Sequence, residues 1–428
     1  MGIISQAVRH PVSAPAGHIN RPTLIDLFCG AGGMSHGFEQ AGFSVLAGAD
    51  FDEDSVITFA ANHANARALN ADLAKTSPQQ LADELQITPG TIDCMVGGPP
   101  CQGFSRNRAF RHDAEGNFVD DPRNHLYWHF FEYVGYFRPK IVVMENVPEI
   151  LVKSNGAFRD AVFERFHSLG YRAEAKVVNA AEYGVPQSRR RAIFLAGREH
   201  QPVAFPETTT LPGLRPGRRT PTSADYIGVK PAPNFTLPLF GASLPVGPSV
   251  WDAIGDLHGE YASDLIGDTA YASLPASEYQ QERRNSSGRV QNHFPWKMTE
   301  RQLKRIRLLG EGQGLLHLPV ELQTKGGYGS AYRRLQADAQ ALTLTTWLFH
   351  AGSGMFTHPY EDRVLTIREA ARLQSFQDSF VFSGRYHSQC RQVGNSVAPL
   401  VARNLANAIL QTLGYAASQE SSSIRMTP

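Results

Sequence analysis

The 428-residue sequence predicts an α/β fold, a doubly wound Rossmann-like domain followed by a second, smaller, loop-rich domain. Three observations lead there. Short apolar runs alternate with helical patterns from residue 23 to residue 195, as expected of parallel strands joined by right-handed crossover helices. The first run, TLIDLF at 23–28, opens directly into the glycine turn Cys29-Gly30-Ala31-Gly32-Gly33, a common start for a nucleotide-binding unit. From about 201 to 362 the composition shifts to proline, glycine and serine, with short apolar runs and few long helical patterns.

After a flexible tail over 1–21, the first strand and its glycine turn lead into a helix whose apolar face is set by Met34, Gly37, Phe38 and Ala41. A second strand over 44–49 ends at Asp50, which places a carboxylate at a strand tip in reach of a ribose diol. Asp72 follows a helix rich in alanine and asparagine, and further strands are expected over 91–96, 140–144 and 192–195. Later, the clearest helices are 251–257 and 299–309, and Thr366-Ile367-Arg368-Glu369 reads as a capping box that starts a helix over 366–375. The expected divisions are a catalytic domain of 22–200 plus 390–412, a loop-rich domain of 201–362, a hinge and return segment of 363–389, and a second flexible tail over 413–428.

The composition, 42% hydrophobic and 19% charged, is that of an ordinary globular protein and excludes fibres, repeat arrays and disordered chains. No apolar run approaches the roughly 20 residues that cross a bilayer, and residues 1–21 lack the layout of a secretion signal. A cytoplasmic location follows as the expectation. The four cysteines, Cys29, Cys94, Cys101 and Cys390, form no CxxC pair, so neither a disulfide framework nor a metal site is expected. The net charge is +1, but arginines cluster at Arg189-Arg190-Arg191, Arg283-Arg284, Arg301/Lys304/Arg305/Arg307 and Arg333-Arg334. Each cluster reads either as a solvated face or as a point of contact with nucleic acid, the former being favoured for any one alone.

Chemistry concentrates at Gly97-Gly98-Pro99-Pro100-Cys101-Gln102-Gly103-Phe104-Ser105, where glycines and two prolines set a thiol on a stiffened turn directly after a buried strand. Glu145 closes the next strand, so two neighbouring strand ends would hold a thiol and a carboxyl over one crevice. That pairing suits covalent activation of an electron-poor ring. The thiol of Cys101 adds to C6 of a pyrimidine while Glu145 donates to N3, and an arginine from Gln187-Ser188-Arg189-Arg190-Arg191, whose alternate residues face one side of a strand, binds O2. The glycine turn lacks the full dinucleotide fingerprint, with Ser35 where a glycine is wanted, so a phosphate-free nucleoside cofactor, S-adenosylmethionine, fits better. Asp50 and Asp72 would serve its ribose and adenine, or act as helix caps; Glu145 and the arginines would likewise serve as a cap and a strand edge if taken singly.

These residues resemble the DNA (cytosine-5)-methyltransferase family, bacterial type. Residues 26–33 (DLFCGAGG) are similar to its cofactor motif, 98–105 (GPPCQGFS) to its nucleophile motif, Glu145-Asn146-Val147 to its acid motif, and 187–191 (QSRRR) to its QxRxR element. Residues 363–374 (RVLTIREAARLQ) and 392–397 (QVGNSV) match its last two blocks, so the resemblance spans about 22 to 412, with the stretch 200–360 matching weakly. It implies Cys101 as nucleophile, Glu145 as the N3 partner, and Arg189 and Arg191 as supports of a flipped base. It also implies an S-adenosyl-L-methionine pocket lined by Phe28, Gly30, Gly33, Asp50, Phe51, Asp72, Leu73, Pro100, Asn395 and Ser396. Ser105, Arg106, Arg108 and Arg111 would lie on a mobile loop that closes on DNA.

By the same resemblance the partner is double-stranded DNA, the chain acts as a nucleoid-associated monomer, and a cognate restriction endonuclease would be a partner in function only. The loop-rich domain would read the sequence, with Lys325-Gly326-Gly327-Tyr328-Gly329-Ser330 and Tyr332-Arg333-Arg334 as a groove-facing element or a hinge loop. Trp296 and Trp347 are expected to be core anchors rather than base-stacking platforms. Two other functions compete: a tRNA cytosine-5 methyltransferase, which shares the architecture, and a DNA-binding protein with a silent catalytic fold.

Overall fold

A computed structural model describes residues 21–100, 126–199, 201–214, 244–324 and 329–415. Strand β1 (Thr23–Leu27) is covered on both faces from its second residue onward, as a central strand must be. The chain leaves it through positive φ at Phe28 (56°), Gly30 (53°) and Gly32 (90°), then enters α1 (Gly33–Ala41), which ends on Gly42 in the left-handed region. There follow β2 (Ser44–Asp50), α2 (Glu53–Asn62, capped by Asp52), β3 (Arg67–Asn70), α3 (Pro78–Leu85, with a Ser77/Gln80 capping box) and β4 (Cys94–Gly97). The unit closes with α4 (Leu126–Phe137), β5 (Ile141–Asn146), α5 (Ala157–Ser168), β6 (Tyr171–Asn179), β7 (Gln187–Ser188) and β8 (Arg190–Arg198).

Seven strands form one sheet in the order β3-β2-β1-β4-β5-β8-β6. The first five run parallel, but β8 is antiparallel to both β5 and β6, so the expectation of a wholly parallel sheet is corrected to a mixed one. The sequence did not announce β3 or β6. The first is four residues long, and β6 alternates covered and exposed positions at a sheet edge, so neither carries an apolar run. One sheet face packs Leu24, Val96, Val143 and Ile193 with α1 and the C-terminal helices; the other packs Ile25, Met95, Val142 and Phe194 with α4 and α5.

The later chain adds α6 (Val250–Ile254), β9 (Asp268–Ala270), α7 (Glu278–Arg283), β10 (Arg289–Gln291), α8 (Glu300–Ile306) and β11 (Ala341–Leu342). Then come α9 (Ile367–Leu373), α10 (Tyr386–Asn395) and α11 (Pro399–Thr412). The Thr366/Glu369 capping box is present at the start of α9. Within 201–362, Val250, Ile254 and Tyr279 join the core of the sheet, whereas Met298, Ile306, Leu309, Leu318 and Tyr332 gather in a core of their own. The pairing of β11 with β7, Ala341 opposite Gln187, ties the returning chain to the arginine element.

Each arginine cluster holds one buried member, Arg189, Arg283, Arg305 or Arg334, while Arg190, Arg301, Lys304 and Arg307 are exposed as on a solvated face. Arg283, Arg305, Arg334, Arg363, Arg368 and Arg372 are all buried. Arg334 donates to the carbonyls of Leu309 (2.8 Å), Ile306 (2.9 Å), His358 (3.0 Å) and Glu361 (2.7 Å) and to Asp362 (2.7 Å). Tyr332 is buried too, its hydroxyl 2.8 Å from Nη1 of Arg305. The proposed groove-facing element is corrected accordingly: Tyr332 and Arg334 are internal braces, and Lys325 to Tyr328 lie outside the described residues. Loops without regular ladders leave many carbonyls unmatched, and a planar five-donor guanidinium satisfies several at once.

Arg372 is the most enclosed example, with both oxygens of Asp378 at 2.6 Å and Asp256 at 3.2 Å. Arg372→Ala strands two buried carboxylates and is expected to lower unfolding stability by about 3–5 kcal/mol, read by denaturant titration; a loss under about 1 kcal/mol would contradict the brace. Asp26 on β1 offers a pH signature. Burial pushes its carboxyl up to about 7, the Ser35 hydroxyl at 2.7 Å only partly offsetting this. A raised carboxyl contributes its stability below the unfolded value and loses it as pH rises through the folded one. Stability of Asp26→Asn relative to the native chain should therefore improve by a few kcal/mol between about pH 4 and 7; a pH-independent difference would refute it.

Candidate active site

The tips of β1 and β2 form a shelf. Asp50 ends β2, and its carboxylate accepts the amides of Gly30 (2.8 Å) and Asp52 (2.9 Å). Burial raises its pKa while those amides oppose the rise, and two of its four lone-pair sites are already engaged. Beside it Phe51 is 68% exposed, an unusual position for a phenyl ring. Among the described residues, none beyond its chain neighbours has an atom within 4 Å of where a Cβ on Gly30 would stand, so these leave open space above the strand tips. A carboxylate with spare lone pairs, an open backbone turn and an exposed aromatic face suit a nucleoside with a ribose diol and a planar base. Asp72 stands on the rim, paired with Lys75 at 2.7 Å, which holds its pKa below the usual range. Leu73 is buried in the neighbouring core, and Phe28 packs against it.

A second group of side chains meets at the tips of β4, β5 and β8. A Cβ on Gly98 would lie 3.3 Å from Oε2 of Glu145, so the turn beyond β4 passes directly beside that carboxyl. Asn146, the next residue, donates from Nδ2 to the carbonyl of Pro99 at 3.1 Å and pins the turn just ahead of Pro100. Glu145 in turn meets Arg191 on β8, Nε to Oε1 at 2.8 Å. Strand pairing explains the meeting: Glu145 sits opposite Ile193, and Arg191 lies two residues along on the same face. A groove of about 290 Å³ opens alongside, lined by Val147, Pro148, Glu149, Ser188, Arg190, Arg191 and Thr343. Cys101 and the loop residues Ser105, Arg106, Arg108 and Arg111 lie outside the described residues.

Gln187 and Arg189 turn toward the returning chain. Nη1 of Arg189 donates to Leu344 O (3.0 Å) and Nη2 to Gly394 O (2.8 Å), in a fully buried setting that drives its pKa down. Gln187 donates to Leu373 O (3.1 Å) and accepts the amide of Leu344 (2.9 Å). Arg189 is thus placed as a positioning residue behind the site, with Arg191 at its front. Gly33 belongs to the same packing: a Cβ there would meet Val397 O at 2.6 Å and the Ser396 side chain at 3.2 Å, so its bareness lets the 395–397 turn seat on α1. Ser396 is buried, its hydroxyl bonded to Gln392 O at 2.6 Å, while Asn395 is exposed.

The structure therefore brings Glu145 and Arg191 together and sets Asp50, Phe51 and Gly30 on one shelf. Sequence reading gave no part to Asn146 as a clamp on Pro99, nor to Thr343, Ser188 and Glu149 in the groove. The position of Asn146 inside the acid motif was the one available signal. A third cluster, His258, His358 and Glu361, brings its ligand-type atoms within 4.8 Å. Its wiring is that of an ion-pair network. Nδ1 of His358 accepts the amides of Tyr360 (3.2 Å) and Glu361 (3.0 Å), which assigns the proton to Nε2, while Arg363 binds Glu361 at 2.9 Å.

Comparison with known proteins agrees with this geometry. The family model for C-5 cytosine-specific DNA methylases matches residues 23–411. The type II methyltransferase M.AgeI of Thalassovita gelatinovora is 32% identical, over 90% of this chain and 98% of its own. M.XorII of Xanthomonas oryzae pv. oryzae is 34% identical, over 92% of this chain and 86% of its own. A solved E. coli prophage protein named as a DNA modification methyltransferase superposes with a TM-score of 0.67 at 24% identity, covering 92% of this chain and 99% of that one. With the motifs in family order and the match running almost end to end, the chain belongs to the C-5 cytosine-specific DNA methylase family.

Proposed function

We propose that the protein transfers a methyl group from S-adenosylmethionine to C5 of a cytosine rotated out of duplex DNA, through a transient bond between Cys101 and C6. The observation that supports this most is that a Cβ on Gly98 would stand 3.3 Å from Oε2 of Glu145, so the turn leading to Cys101 starts close to the carboxyl. Asp50 and Phe51 would hold the ribose and base of the cofactor, with Asp72 at the adenine edge and Phe28, Gly30, Gly33, Leu73, Pro100, Asn395 and Ser396 around them. When bound, S-adenosylmethionine supplies an electrophilic methyl group.

The chain's own residues do the rest. The Cys101 thiolate attacks C6, and the displaced ring electrons run toward N3 as Glu145 gives it a proton, leaving C5 nucleophilic. Arg191, paired with Glu145 at 2.8 Å, would orient that carboxyl and offer its guanidinium to O2 of the ring. As C5 takes up the methyl, leaving S-adenosylhomocysteine, the N3 proton returns to Glu145; a water or hydroxide then removes the C5 proton, whose bonding pair re-forms the C5–C6 double bond and expels the Cys101 thiolate. Extruding the base costs about a few kcal/mol of stacking and pairing, offset by pocket and phosphate contacts. In this reading the part of 201–362 with its own core contributes to target recognition. The type II role named for the relatives extends to this chain as a monomer, with any cognate endonuclease sharing only the recognised sequence.

Incubation with methyl-labelled S-adenosylmethionine and either duplex DNA or tRNA tests the proposal. Label is expected on cytosine C5 of DNA; label on tRNA alone, or on neither, would overturn it. Cys101→Ser is expected to abolish transfer while duplex binding persists, because a hydroxyl is a poor nucleophile at its ordinary pKa. Full activity in that variant would exclude the covalent route. Glu145→Gln should lower kcat by about a hundredfold or more with cofactor affinity nearly unchanged, and an unaltered rate with weakened cofactor binding would move Glu145 out of its role.

A further inference from the structure

Trp347 departs from its expected place. Trp296 is a core anchor, stacked on Tyr386 with ring centroids 4.3 Å apart, but Trp347 is 58% exposed. The chain on either side of it is firmly held. Thr343 donates to Ser188 O at 3.0 Å, and Leu344 is bound through its amide by Gln187 and through its carbonyl by Arg189. Thr345 is pressed on Gly394, where a Cβ would stand 2.5 Å from its carbonyl carbon. Beyond Trp347, Phe349 packs edge-on against His387 at 4.1 Å. A large indole is thus held out by a fixed segment.

Its location gives the exposure a use. Thr343, four residues before Trp347 on the same held segment, lines the groove that holds Arg190 and Arg191, and Arg191 pairs with the Glu145 carboxyl. Resting on the reading that duplex DNA is the substrate, we propose that Trp347 is a stacking platform for a nucleobase of the DNA that loses its neighbour when the target cytosine leaves the helix. Every base has a π-face, and an exposed indole can replace the lost stacking partner without reading sequence. A protein partner fits less well, because the groove that Thr343 lines carries two arginines, a glutamate, a serine and a threonine against only Val147 and Pro148.

The test uses the full chain and a short duplex built around a site mapped by bisulfite sequencing, with Kd measured at several salt concentrations. Trp347→Ala should weaken binding about tenfold while the slope of log Kd against log salt stays unchanged, because stacking releases no counterions. Trp347→Phe should keep affinity within about threefold of the native chain, as an aromatic face remains. In that variant most of the tryptophan-fluorescence quenching seen when the native chain binds duplex should be lost. Native-like binding by Trp347→Ala, a reduced salt slope, or a parallel fall in S-adenosylmethionine affinity would each overturn the platform. If the native chain methylates the duplex and Trp347→Ala binds like it, this inference alone fails. If the native chain transfers no methyl group to duplex DNA, the proposed function fails and takes the platform with it.

Discussion

The buried guanidinium of Arg189 holds the site together. It bonds at once to the carbonyl of Leu344, before the rim segment, and to that of Gly394, at the end of α10. Desolvation and the neighbouring Arg191 charge work against its protonated form, while Glu145 favours it and the carbonyls at 3.0 and 2.8 Å accept two of its N–H groups. Through it three distant stretches become one frame: the strand that carries Arg191, the segment that carries Thr343 and Trp347, and the turn at 395–397 that seats on Gly33. Lysine could not replace it, because one ammonium does not reach two carbonyls with a fixed fork.

Around that frame the two halves of the site divide the work. The shelf at β1 and β2 is built by backbone freedom, with Gly30 leaving space and Asp50 tied down by the amides of Gly30 and Asp52. The crevice at β4, β5 and β8 is built by side chains: Asn146 fixes the turn before Pro100, Glu145 lies beside the bare Gly98, and Arg191 meets Glu145. Adjacent parallel strands β1 and β4 place the two halves side by side, as expected for open α/β sheets whose ligands gather at the carboxyl ends of the strands.

Much of this was legible in the sequence. Buried central strands such as 23–27 and 141–146 are short apolar runs, and the cap at Thr366 follows from local hydrogen bonding alone. The edge strand β6 was not legible, because an edge needs no continuous apolar run. Nor was the burial of Arg334, Arg368 and Arg372, since charge patterning treats arginine as a surface residue, and only the fold reveals which carbonyls lack partners. Trp296 and Trp347 make the same point, one half-buried and the other exposed where both were expected in the core, because what covers an indole is set by segments far away in sequence.

The most direct measurement is mass spectrometry of the protein after reaction with S-adenosylmethionine and a duplex carrying 5-fluorocytosine at the methylated position. Fluorine at C5 cannot leave as a proton does, so a bond formed at C6 persists once the methyl group has been transferred. A denaturation-resistant complex whose DNA maps to the peptide containing Cys101 is the expected result. A duplex that becomes methylated without any trapped complex, or a trapped complex on another residue, would contradict covalent catalysis by Cys101.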